Sequence, residues 1–110
     1  MYRDASNYKE CHSIVAKGEL SEQQQEDIRN KCDTGCYFIP QQVNMLGLQD
    51  RMTNFPNEDD HVWHEINDVR LVEDKPNFNL TAGEIHALFM SVGEWQVAEY
   101  TRELGIPIGN

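Results

Sequence analysis

Apolar positions along the chain fall into two patterns. Three stretches read as helices, and several shorter ones have the β-branched and aromatic composition of strands. Ser21, with Gln24 three residues on, makes a capping box and predicts a helix from Glu22 to about Cys32. Its apolar stripe is narrow: Leu20 just ahead of it, then Ile28 and Cys32. Gly35 fits a C-terminal stop. Thr81 and Glu84 make a second capping box, and Ile85, Leu88, Phe89 and Val92 follow at helical spacing up to Gly93. Trp95, Val97, Ala98, Tyr100 and Leu104 give another helical segment, stopped by Gly105 and Pro107.

Between these lie the strand candidates. Residues 11–17 read as a short strand closed by Gly18. Tyr37-Phe38-Ile39 is β-favouring, and Pro40 ends it or places it at an edge. Residues 61–66 and 69–72 read as two strands around Asn67-Asp68, a weaker hairpin signal than Asn-Gly. Residues 41–52 fit either a loop or a short helical turn, and Asn54-Phe55-Pro56-Asn57 is turn chemistry. The expected architecture is α+β: a small, mainly antiparallel sheet with helices packed on it and a C-terminal helix pair. The length of 110 residues fits one domain spanning 1–110, with no linker or repeat.

No stretch approaches the roughly 20 apolar residues of a membrane span. The start, Met1-Tyr2-Arg3-Asp4, lacks an apolar signal core, so a cytoplasmic location is expected. Cys11, Cys32 and Cys36 are an odd set and read as reduced thiols in that compartment.

Charge changes the picture most. Nineteen acidic side chains stand against nine basic ones, a net charge of -10. The densest stretch is 54–74, where Glu58, Asp59, Asp60, Glu65, Asp68, Glu73 and Asp74 face only Arg70. Such a chain repels nucleic-acid phosphates and anionic membranes, and its field attracts basic proteins. Trp63, inside this stretch, is a contact candidate, so the expected partner-binding set is Glu58, Asp59, Asp60, Trp63, Glu65, Asp68, Glu73 and Asp74.

The sequence offers little catalytic chemistry. Cys32-x-x-x-Cys36 with His61-x-x-His64 supplies zinc-type donors, but the histidine spacing is short, and on a strand His61 and His64 would face opposite ways. Cys11 and His12 are adjacent and would also diverge on a strand. Gly-x-Ser-x-Gly, a phosphate-cradling glycine loop and His-Glu-x-x-His are all missing from the sequence. Helix, glycine, helix over 84–104 has the outline of a helix-turn-helix, but Glu94, Glu99 and Glu103 against Arg102 exclude a DNA reader. The expectation is a binding protein, not an enzyme, without cofactor or metal.

Three segments carry a resemblance: Tyr2-Arg3-Asp4-Ala5-Ser6-Asn7-Tyr8-Lys9, Tyr37-Phe38-Ile39-Pro40-Gln41-Gln42-Val43 and Asp60-His61-Val62-Trp63-His64-Glu65. They resemble a family of small uncharacterised bacterial proteins, many carried on mobile genetic elements. Size and acidity are also similar in type to anti-CRISPR proteins that inhibit Cas9-type effectors. The resemblance implies an acidic inhibitor whose partner is a basic nucleic-acid-handling protein such as a Cas9-type CRISPR nuclease, blocking guide RNA or target DNA binding. The competing expectation is a metal- or thiol-dependent accessory protein using Cys32, Cys36, His61 and His64, or a structural subunit of a larger complex.

Overall fold

The computed structural model describes residues 1–52 and 55–107; Asn54 of the expected turn lies outside them. The chain is an α+β mixture of three α-helices and two small antiparallel ladders. Strand β1 (Tyr2–Arg3) pairs with β2 (Lys9–Glu10), Tyr2 opposite Glu10. Helix α1 spans Glu22–Lys31, and β3 (Tyr37–Phe38) pairs with β4 (His64–Glu65), Phe38 opposite His64. Helices α2 (Ala82–Ser91) and α3 (Val97–Glu103) complete the fold.

Both expected capping boxes form. The Ser21 and Thr81 hydroxyls accept from the backbone N–H of Gln24 and Glu84, whose side chains accept from the cap residues' own N–H groups. Two otherwise orphaned donors are thereby satisfied at each helix start. Helix α1 ends at Lys31, where Cys32 turns extended, so Gly35 is not its stop. Thr34 (φ 51°) and Gly35 (φ 82°) instead form the left-handed turn that carries Cys32 into β3, closed by the Asp33 N–H donating to the Tyr37 carbonyl at 2.7 Å. Pro40 ends β3 as expected and opens a 3-10 turn over Pro40–Val43; a second spans Leu48–Arg51.

Two expected strands do not form. Residues 69–72 are irregular, so there is no hairpin after β4. The reason is that both sides of β4 are already occupied. The Ile66 N–H donates to the Cys36 carbonyl on one side, and the Glu65 N–H donates to the Met1 carbonyl at 2.7 Å on the other. The second bond also joins the two ladders edge to edge. Residues 11–16 are likewise irregular, and only Lys17 forms a bridge, parallel to Thr81. Asn77 takes the place of a strand partner: its side chain and backbone exchange hydrogen bonds with Val15 and Ser13.

The core has two parts. Ile28 and Cys32 of the α1 face meet Phe38, Val43, Phe89 and Val92, with Leu20, Ile85 and Leu88 packed at the edge. Ile39, Val62 and Ile106 form the other part, beneath Phe55, Trp63, Tyr100 and Leu104. Trp95 touches both and donates its indole N–H to the Lys31 carbonyl at 3.0 Å. The short α3 buries none of its residues fully, so its place is set by Trp95, Tyr100 and Leu104 packing around it. No helix among the described residues is long and apolar enough to cross a membrane.

Candidate functional site

Residues 69–72 being irregular, the acidic residues of 54–74 are not carried on a hairpin. They divide into a buried member and two surface groups.

Asp60 is the buried member, only 7% exposed. Its carboxylate accepts the Tyr2 hydroxyl and the Asn57 N–H (2.9 Å). Tyr2 is itself 0% exposed. The His61 N–H donates back to the Tyr2 oxygen at 3.3 Å. Burial, then the bond to Asp60, holds the Tyr2 phenol well above its ordinary pKa. Asp60 is therefore a structural anchor for the N-terminal strand and presents nothing to a partner. Trp63 is half-buried, edge-on to Tyr37 and Trp95, and packs against the second core cluster. A tryptophan so placed serves the fold first.

The first surface group is Glu58 and Asp59 with Asp4, around a shallow depression shared with Ser6, Tyr8 and Pro107. Asp59 accepts from the Ser6 hydroxyl at 2.6 Å and its backbone carbonyl accepts the Ala5 N–H, so this loop is tied to the β1–β2 turn. The second group lies along the irregular segment after β4. Glu65, Asp68 and Asp74 line a groove of about 680 Å³, and Glu73 stands exposed beside it. Asp68 pairs with Arg70 at 3.3 Å, both well exposed. Among the described residues the other ion pair is His86 with Asp27 (3.1 Å). The Gln23 amide and then His86 hold the Asp27 carboxyl below the usual carboxylate range.

The zinc-type donors are spent on other bonds. His61 and His64 do not face opposite ways, since 61–63 are outside the strand; both rings lie about the Tyr2 ring, with centroids 5.1 and 5.0 Å away. His61 donates from Nε2 to the Arg3 carbonyl (2.6 Å) and accepts the Trp63 N–H at Nδ1 (3.1 Å). His64 has the opposite tautomer. Its Nδ1 donates to the Val62 carbonyl (3.3 Å) and its Nε2 accepts the Leu48 N–H (2.9 Å). Burial pushes the His64 pKa down to about 3, so it stays neutral. Cys32 is buried and donates its thiol to the Ile28 carbonyl at 3.3 Å; burial, then Cys36, pushes its pKa up to about 12. The described residues contain no group of three or more His, Cys, Asp or Glu side chains arranged to hold a metal ion.

Sequence reasoning missed the Tyr2–Asp60–His61–His64 cluster. A signal existed: segments 2–9, 37–43 and 60–65 are those that meet here, with Phe38 edge-on to His64 at 6.1 Å. It also missed the groove, whose walls are the two stretches read as strands.

Comparison with known proteins finds no matching family model, no matching curated protein and no matching solved structure.

Proposed function

We propose that this chain is an acidic protein-binding module that inhibits a nucleic-acid-handling protein, with a Cas9-type CRISPR nuclease as the first target. Such effectors hold guide RNA and heteroduplex in a positively charged channel, and an acidic domain competes for it. The observation that carries the reading is the unneutralised charge. Of the eighteen acids whose side chains are described, Asp68 is the one whose carboxylate meets an Arg or Lys. Arg29 and Lys31 donate to the Val69 and Val92 carbonyls at 2.8 and 2.9 Å, so two of nine cations serve the backbone. The resulting field draws in a basic partner and repels nucleic acid. The resemblance to mobile-element proteins supports the same reading. The chain is then a binding protein without catalytic residues.

The test is a pull-down with guide-free and guide-loaded nuclease, followed by binding kinetics at increasing salt. Binding to the guide-free form that weakens once guide is loaded is the expected result. Binding to neither form sinks the proposal. The metal- or thiol-dependent alternative gains nothing from His61, His64 and Cys32, whose donor atoms serve the fold.

A further inference from the structure

The groove of about 680 Å³ is walled by two segments that have strand-like sequence but are irregular in the fold. One wall is 11–16, held by Asn77. The other is the run after β4, including Val69, Leu71 and Val72. Core residues Ile28, Phe38 and Phe89 reach its floor.

Three features of the second wall go together. Its sequence, Val69-Arg70-Leu71-Val72, is β-favouring. From Asn67 to Pro76 no main-chain N–H or C=O has a partner among the described residues, apart from the Val69 carbonyl, which accepts from Arg29. Leu71 is 62% exposed, and Ile14 on the opposite wall is also exposed. Strand addition needs unpaired main chain and room for alternate side chains, and this β-favouring run beside an apolar channel offers both. Main-chain bonds supply affinity there, and alternate side chains enter the groove.

Charge selects the occupant. Glu65, Asp68 and Asp74 line the groove; of the two cations that line it, Arg70 is already paired with Asp68 and the Met1 ammonium donates to the Glu65 carbonyl at 2.7 Å. A second copy of this chain would set one acidic rim against another in molecules that each carry -10. We infer that this groove binds a segment of the partner protein in which apolar and basic side chains alternate, paired as an added strand along Val69–Val72. The inference rests on the proposed function and deepens it, since it names the part of the basic partner that docks.

The probe is a synthetic octapeptide of alternating lysine and valine. A glutamate–valine octapeptide and one with the lysines and valines in separate blocks are the comparisons. Binding is read at about 0.15 M salt, where the Debye length of about 8 Å suppresses diffuse attraction. Amide hydrogen exchange is followed residue by residue. The alternating lysine peptide is expected to bind, to slow exchange at alternate N–H groups within residues 70–72, and to outbind both comparisons by about tenfold, 1.4 kcal/mol. Leu71→Pro removes an N–H that has no partner in the fold and is expected to abolish binding while leaving the thermal melt near wild type. Should that variant fail to fold, Leu71→Lys repels the peptide at the same point and replaces it. Equal binding of the block peptide, protection confined to the Glu58–Asp59 loop, or protection of 70–72 through self-association without peptide would each overturn the inference. A nuclease bound normally by Leu71→Pro also overturns it while leaving the proposed function standing. Peptide binding with no nuclease binding does the reverse.

Discussion

Removing the Asp60 carboxylate is the sharpest perturbation this fold offers. In Asp60→Ala the Tyr2 hydroxyl, at 0% exposure, loses the acceptor that pins β1 across 58 residues of chain. A hydrogen bond to a charged group contributes about 1.5–3 kcal/mol, and stranding a buried hydroxyl costs a comparable desolvation term. The His61 N–H still reaches the Tyr2 oxygen, but as a donor, so it does nothing for the phenolic proton. The expected loss is about 3 kcal/mol, a large part of a typical stability of about 5–15 kcal/mol. In a chain of this length that lowers the melting temperature by about 10 °C. Tyr2→Phe leaves the buried carboxylate one donor short and costs a similar amount. The double variant then costs less than the two singles together, with a coupling of about 1–2 kcal/mol. Glu58→Ala, an exposed change two residues away, stays within about 0.5 kcal/mol of wild type. The assay is thermal or urea unfolding of the four variants and the wild type at neutral pH. A melt for Asp60→Ala within about 2 °C of wild type, against the expected 10 °C, or strict additivity in the double variant, would refute the buried pair.

Three further outcomes follow from the same geometry. His64 has a folded pKa of about 3 against an ordinary value near 6.5, so the folded state binds fewer protons between them. Its contribution is fully present above about pH 6.5 and drains away as pH falls toward about 3; urea unfolding at pH 7 and pH 5 should show the loss, and His64→Gln should flatten it. Iodoacetamide on the native protein should modify exposed Cys11 and spare Cys32, which is buried with its pKa raised to about 12; mass spectrometry of native and urea-unfolded samples reads this, and native labelling at Cys32 contradicts its burial. Reversing Glu73 and Asp74 to lysine should leave the melt within about 0.5 kcal/mol of wild type, because exposed charges are worth little to the fold, yet slow association with the guide-free nuclease. An unchanged association rate with a normal melt would exclude this segment from the interface.

The sequence alone determined what depends on neighbours in the chain. Both capping boxes, the helices they start, the break at Pro40 and the end of the last helix near Gly105 (φ 69°) are local events, decided within a few residues. The α+β class and the apolar faces of Ile28, Phe89 and Val92 follow from the same local periodicity. Pairing is not local, and there the sequence reading failed in particular ways. Residues 69–72 have the composition of a strand, but a strand needs an open edge, and β4 had already given its two edges to β3 and to Met1. Residues 11–16 lost theirs to the Asn77 side chain. The division of the acids between surface and interior is not local either. Asp59 and Asp60 are adjacent acids of identical chemistry, yet Asp59 accepts a surface serine while Asp60 is enclosed by a tyrosine from the far end of the chain. Whether a carboxylate attracts a partner or anchors a strand is set by the solvent around it and the donors within about 3 Å. Chain closure brings those donors from distant positions, so only the tertiary structure decides it.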